Sequence, residues 1–413
     1  MRRYLFILGL FCMLPLKAYV QDSITAKHPL ASKVDSSYAH WLSSHAERTF
    51  VHHAIRELDT NAVDILGITD AVLAQRLQAL DQRSPLDIRF TPEVKNSIQF
   101  YLGGRKQHMS MVIGRSAYFF PLFEACLDKY DMPMELKYLP IIESALNPAA
   151  TSPVGAKGLW QFMYTTGKLQ GLEITSYVDE RMDPIKSTDA ACRYLKKMYE
   201  MFGSWELALA AYNAGPGNVS KAIRYSNGGK TYWDICPYLP RETRNYVPSF
   251  IAAMYAMNYA GSHGVQAEMP PTTFFDVDTV YASAPVGLRD IAHVLSIDST
   301  LMTVLNPQYK LQHVPGPNQD GKVYSFVLPR AAIPYYIALS DTLYATAAAR
   351  LTKAPLPAVT QGESSSNEFH TVRSGDTLGA IARKYGVRVS DIQRWNGLRG
   401  TMIRVGQRLK VHA

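Results

Sequence analysis

Apolar positions along this chain change their spacing more than once. Between residues 71 and 80 (AVLAQRLQAL) they recur three and four apart among good helix formers, which predicts a helix within a rather polar stretch, 21–95. From about 96 to 262 the helical period continues. Pro and Gly fall mostly at the joints: Asn147-Pro148, Ser152-Pro153-Val154-Gly155, Asp183-Pro184 and Gly215-Pro216-Gly217. Asp183-Pro184 predicts a helix start, Asp as N-cap and Pro at the first helical position, with Ala190, Ala191, Tyr194 and Leu195 following at helical spacing. Strand and helix do not alternate here, which excludes a doubly wound sheet. Beyond residue 263, β-branched runs at Phe275–Tyr281 and Val323–Leu328 bracket two helical stretches, Gly287–Leu295 and Ser299–Leu305. A cleaner β-α-α-β unit closes the chain, with strands at Phe369–Val372 and Leu409–Val411 around helices at Leu378–Tyr385 and Val389–Trp395. The two units read as an internal repeat, the first one diverged.

The expected fold class is therefore multidomain and mainly α, a helical domain followed by small β-α-α-β modules. With 413 residues and 47% hydrophobic content, two or three packed domains are expected rather than disorder. Residues 1–20 stand apart. A basic start, Met1-Arg2-Arg3, precedes an apolar run from Tyr4 to Leu16 that is too short to span a bilayer. It reads as a signal peptide cleaved near Ala18 to Val20, so the protein is expected to be exported, to the periplasm or cell envelope. Cys12 is a poor lipidation site, because Gly9-Leu10-Phe11 lacks the small residues wanted before it. The remaining divisions are a helical N-terminal region at 21–95, a helical domain at 96–262, a module at 263–350, a flexible Pro- and Ser-rich linker at 351–368, and a final module at 369–413.

Charge changes the picture at the C-terminus. Residues 370–413 hold nine Lys/Arg and two acids, a net +7 within a whole-chain net charge of +8. An exported protein meets wall polymers and membranes rather than nucleic acid, so an anionic polymer is the expected partner. Three cysteines survive cleavage, Cys126, Cys192 and Cys236; one disulfide is possible, and no spacing suggests a metal site. His45, His52 and His53 lack the companions of a metal motif and read as a solvated helix face. No metal and no cofactor are expected.

The chemistry concentrates in Glu135-Leu136-Lys137-Tyr138-Leu139-Pro140-Ile141-Ile142-Glu143-Ser144-Ala145-Leu146-Asn147-Pro148. A helix should run to about Ser144 and stop before Pro148. Glu143 then sits at its C-terminal end among apolar residues. Both the helix dipole and the neighbours disfavour a carboxylate there, as a general acid requires. On this stretch alone, an exposed Glu beside apolar residues reads equally well.

Three motifs follow in order: Glu143-Ser144, Gly158-Leu159-Trp160-Gln161-Phe162 and Ala211-Tyr212-Asn213-Ala214-Gly215. Ser152-Pro153-Val154-Gly155-Ala156 and Thr243-Arg244-Asn245-Tyr246-Val247-Pro248 complete them. Over about residues 96–262 this pattern resembles the soluble-type lytic transglycosylases, whose fold is similar to goose-type lysozyme. Within that family it is most like the membrane-bound lytic murein transglycosylase D group. The resemblance implies that Glu143 is catalytic acid and then base. It implies that Ser144, Ser152, Gln161 and Asn213 meet the sugar, that Met163 and Tyr212 line the cleft, and that Tyr246 closes it near the acid. Tyr212 and Tyr246 also read as ordinary core tyrosines. The implied reaction is non-hydrolytic cleavage between N-acetylmuramic acid and N-acetylglucosamine, leaving a 1,6-anhydromuramic end. A lysozyme-type hydrolase on the same fold would need a second carboxylate, for which Asp179, Glu180, Asp183 and Glu242 are the nearby candidates, with Asp183 better explained as a helix cap. A wall-binding scaffold with a dead site is the third reading.

The tail, with Thr371-Val372-Arg373-Ser374-Gly375-Asp376-Thr377-Leu378 and Ile403-Arg404-Val405-Gly406-Gln407-Arg408-Leu409, resembles a LysM module throughout. The resemblance implies a shallow groove for N-acetylglucosamine chains formed by Gly375, Asp376, Thr377, Leu378, Ile403, Val405 and Gly406. Core packing is the other reading of Leu378 and Ile403. Lacking the Ser-Gly-Asp-Thr turn, the 263–350 unit reads as a degenerate relative, for which glycan binding and mere packing against the catalytic domain both stay open.

Overall fold

The computed structural model describes residues 66–411 apart from 271, 319–320, 354–355, 359, 361–368, 374, 386 and 399. The expected signal peptide, Cys12 and the three N-terminal histidines lie outside the described residues. Helix α1 (Asp70–Asp81) is capped by Thr69 and α2 (Pro92–Leu102) by Thr91 with Pro92 in its first turn. The 24-residue α3 (Lys106–Lys129) leads through a 3-10 turn at Met134–Tyr138 into the short α4 (Leu139–Ser144). Then come α5 (Tyr164–Leu169), α6 (Pro184–Phe202), α7 (Trp205–Ala214), α8 (Pro216–Tyr225), α9 (Tyr232–Ile235) and α10 (Tyr246–Tyr259). Asp183 Oδ1 accepts from the N–H groups of Ile185 and Lys186, the cap the sequence predicts.

Helix α10 organises the domain. Eleven of its residues, from Tyr246 to Ala256, are buried without a break, so apolar side chains surround it on every face. A helix apolar all round can only sit inside others. Leu73, Leu77 and Leu80 of α1, with Leu86 and Ile88, belong to the same core as Val94, Ile98 and Phe250. That core runs through residue 95 without interruption, so residues 66–95 fold with the helical domain. Among the described residues, no helix is long and apolar enough to cross a membrane.

Downstream, β1 (Val277–Tyr281) pairs antiparallel with β4 (Ser325–Pro329), Thr279 opposite Val327. Between them lie α11 (Leu288–Val294) and α12 (Ser299–Leu305), giving the β-α-α-β order read from the sequence. Three elements go beyond that order. A two-residue pair joins β2 (Val286–Gly287) to β3 (His313–Val314), and α13 (Ile333–Lys353) closes the module by burying Leu343 and Ala347 in its core. Helix α13 reaches into the expected linker. Beyond it the backbone of Thr360 exchanges hydrogen bonds with Ser176, so the linker's first residues are docked. The last module has β5 (Phe369–Thr371) against β6 (Arg408–Lys410), with α14 (Leu378–Tyr385) and α15 (Val389–Asn396) over a core of its own.

Candidate active site

Glu143 sits at the end of α4, where the chain reverses sharply. Ala145 (φ 51°) and Leu146 (φ 59°) are both left-handed without being glycine. Such backbone costs about 1–2 kcal/mol per residue and persists only where surroundings enforce it. Here the buried guanidinium of Arg115, from α3, donates to Ala145 O at 3.0 Å. The turn leaves Glu143 partly exposed while Ile141, Ile142, Ala145 and Leu146 around it are buried.

Burial pushes the Glu143 carboxyl up to about 7; the Tyr246 hydrogen bond opposes this and the charge of Glu242 adds to it. The Tyr246 phenol, itself fully buried, donates to Glu143 Oε1. Tyr246 opens α10, so the central helix of the domain presents its first side chain to the acid. Tyr212 is near enough for the Glu143 charge to act on it, after burial, in raising its phenol.

The second motif forms a loop held beside the acid by its sequence neighbour Ser144 and by Tyr212. Residues 151–162 make a miniature sheet through the pairs Thr151–Lys157 and Lys157–Phe162. Three donors from outside fix its carbonyls. Ser144 Oγ donates to Leu159 O at 2.9 Å, Tyr212 Oη to Trp160 O at 2.7 Å, and Arg181 Nη1 to Gly155 O and Phe162 O at 3.0 and 3.2 Å. Gly158 (φ +80°) is obligatory: a Cβ there would stand 1.8 Å from Arg181 O.

The predicted residues divide in two. Glu143, Tyr212 and Tyr246 come together as one interacting group. Asn213 joins the segment before α10 by accepting from Thr243 Oγ1 at 2.9 Å, and Gln161 and Met163 are partly exposed along the second-motif loop. Ser152 is also partly exposed, and its hydroxyl accepts from Ala156 N–H at 2.9 Å to close its own turn. Ser144 is a correction: with no exposed surface and its hydroxyl on Leu159 O and Pro140 O, it ties the loop to the acid and cannot meet a sugar. Arg115 and Arg181 were missed. Arg181 lies in Asp179-Glu180-Arg181-Met182-Asp183, a charged run that looks exposed yet is almost wholly buried.

The hydrolase reading's carboxylates are mostly committed elsewhere. Burial opposes charge on Asp179, yet the paired Arg181 hydrogen bonds win and hold it below the usual range. Glu180 is likewise buried and is held down by Lys186 and Lys322. Asp183 caps α6. Glu242, exposed, is the one whose charge reaches Glu143.

In the last module, Gly406 N–H donates to Val372 O at 2.8 Å, which sets the 403–407 loop beside the strand leading into the Gly375–Thr377 turn. Asp376 accepts from Arg373 N–H and pairs with His370 Nε2 at 2.7 Å, while Thr377 Oγ1 caps α14 through Ala380 N–H. Gly375, Thr377, Val405 and Gly406 are exposed there. Leu378, 1% exposed, belongs to the module's core and cannot line an open groove; Ile403 packs half-buried against the same core.

Residues 121–235 match the transglycosylase SLT domain, residues 276–345 the lytic transglycosylase MltD LysM-like domain, and residues 370–412 the LysM domain. This chain carries the SLT domain of the lytic transglycosylases. It is 35% identical over 291 residues to membrane-bound lytic murein transglycosylase D of Escherichia coli (strain K12), covering 69% of this chain and 61% of that one. The chain thus spans about three fifths of that relative's length. The soluble lytic murein transglycosylase of Escherichia coli (strain K12) is 36% identical over 118 residues, 27% of this chain and 18% of its own. The crystal structure of the 70 kDa soluble lytic transglycosylase from Escherichia coli aligns at 24% identity and a TM-score of 0.31, over 44% of this chain and 31% of that one. A mainly helical SLT domain followed by small LysM-type modules is the architecture the sequence predicted.

Proposed function

We propose that the protein is an exported lytic transglycosylase that cuts peptidoglycan glycan strands at the bond between N-acetylmuramic acid and N-acetylglucosamine. Protonated Glu143 gives its proton to the bridging oxygen as the C1–O bond breaks. The muramic C6 hydroxyl then closes on C1, assisted first by the N-acetyl oxygen, and returns its proton to Glu143. Nothing is oxidised and no water is consumed. The ring closes within the sugar, so proximity does the work of a positioned nucleophile.

The observation that carries this reading is the Glu143 carboxyl bonded to the buried Tyr246 phenol at the end of α4, where burial pushes it up to about 7. A general acid works best with its pKa near the working pH. Tyr246 steadies the ionised form after the first transfer. The Gly375–Thr377 turn and the 403–407 loop would hold N-acetylglucosamine chains, keeping the wall close to the cleft.

The test is digestion of purified sacculi followed by mass spectrometry of the fragments. Anhydro ends, lighter than reducing ends by one water, should be released by the wild type and not by Glu143→Gln. Reducing ends would make Glu242 a candidate water-holding base and turn the assignment to a hydrolase. Release that survives Glu143→Gln would remove the acid.

A further inference from the structure

The module at 276–345 grips one loop of the catalytic domain, the stretch between α5 and α6. Asp179 N–H donates to Gln308 O and Lys310 N–H to Tyr177 O, both at 2.9 Å, so residues 308–310 lie along the loop as an added edge. The Lys310 ammonium reaches Thr175 O at 2.6 Å. Lys322 donates to Glu173 and, at 2.9 Å, to Glu180; the Tyr324 phenol donates to Glu173 at 3.0 Å. Glu180 is 3% exposed and also binds Glu173 N–H at 2.7 Å, which folds the loop back on itself.

The other end of this loop is Arg181. Its guanidinium is fixed by Asp179 and donates to Gly155 O and Phe162 O, while its carbonyl occupies the space beside Gly158. The path therefore runs by hydrogen bonds from Lys322 and Tyr324 to Glu173 and Glu180, along the chain from Glu180 to Asp179 and Arg181, and by hydrogen bonds again to the loop that Ser144 ties beside Glu143. Without the module, Glu173 would lose Lys322 and Tyr324, Glu180 would lose Lys322 and keep Lys186, and the backbone at 177 and 179 would lose its partners. Removing one partner of a buried charge such as Glu180 is strongly destabilising, and Glu180 is the group that folds the loop back through Glu173 N–H.

We propose that this module is an intramolecular brace for the cleft, and that Lys322 and Tyr324 are positioning residues for the reaction although both lie outside the catalytic domain. The proposal rests on reading the cleft as the catalytic site.

The test uses the full chain with Lys322→Ala and Tyr324→Phe combined, and with Lys322→Arg alone. Amide hydrogen exchange is followed over 155–163, and steady-state kinetics on soluble glycan fragments. Charged hydrogen bonds of this kind correspond to about tenfold or more in an opening equilibrium. Exchange over 155–163 should rise by about that factor together with exchange over 173–181. KM should rise several-fold while kcat and the pH limb set by Glu143 stay, and Lys322→Arg should recover most of the loss. A merely unstable fold would lower the active fraction, and so kcat, instead. Faster exchange at 173–181 alone, with 155–163 and KM as in the wild type, overturns the brace. Exchange is read without turnover, so it decides the brace even where fragment analysis contradicts the proposed reaction. Should the double variant fail to fold, Tyr324→Phe alone is read by the same two outcomes.

Discussion

Replacing Glu143 by Gln should stabilise the catalytic domain in alkaline buffer and leave it nearly unchanged in acid. The folded carboxyl titrates at about 7, whereas its ordinary value is 4.5. Between those values the folded chain keeps a proton that the unfolded chain has released. Where the folded state binds more protons, stability falls as pH rises. The stabilising difference is thus complete below 4.5 and is lost as pH climbs through 7. At about 1.4 kcal/mol per unit, the loss above pH 7 is about 3 kcal/mol. Gln has no proton to lose, and its amide oxygen can still accept from Tyr246. Thermal melts of both proteins at pH 4 and pH 8.5 give the comparison. At pH 4 the two should nearly coincide. At pH 8.5 the variant should melt higher by about 6–12 °C for a domain of this size. An equal difference at both pH values would show that the carboxyl is not held protonated by its site, and the acid role would fail with it.

Tyr246→Phe removes the bond that favours the ionised form, so the basic limb of kcat/KM should move up by about one pH unit. Glu242→Gln removes a like charge and should move the same limb the other way; shifts of the same sign would refute the assignment of causes. Gly158→Ala must fit a methyl 1.8 Å from Arg181 O on left-handed backbone. It should cost about 3 kcal/mol, read in denaturant melts. Truncation after Thr360, which spares the contacts to Ser176 and Tyr177, should weaken pelleting with sacculi more than turnover of soluble fragments.

Much of this arrangement is written locally. The Asp183-Pro184 start of α6, the break after Ser144 and both β-α-α-β units follow from caps, prolines and apolar period, because each signal lies within a few residues. What escaped notice was long-range. The Asp179–Asp183 run is charged and, by composition, belongs outside; it is buried because its members find partners, some nearby, such as Arg181 and Lys186, and one, Lys322, more than a hundred residues later. Ser144 misled for the opposite reason. It adjoins the acid in sequence, but one residue along a helix turns a side chain by about 100°, from the cleft into the core. Leu378 repeats the lesson in the last module. Helix α13 passed unseen because its apolar residues pack only two buried side chains, Leu343 and Ala347.

The loop beside the acid is held by its carbonyls. No substitution at Leu159, Trp160, Gly155 or Phe162 can delete those acceptors, since every amino acid carries the same oxygen. The shape of that wall is therefore stored in the distant donors Ser144, Tyr212 and Arg181. Its exposed side chains, such as Pro153 and Val154, can be exchanged without redrawing the contour, whereas one change at a donor would unfasten it.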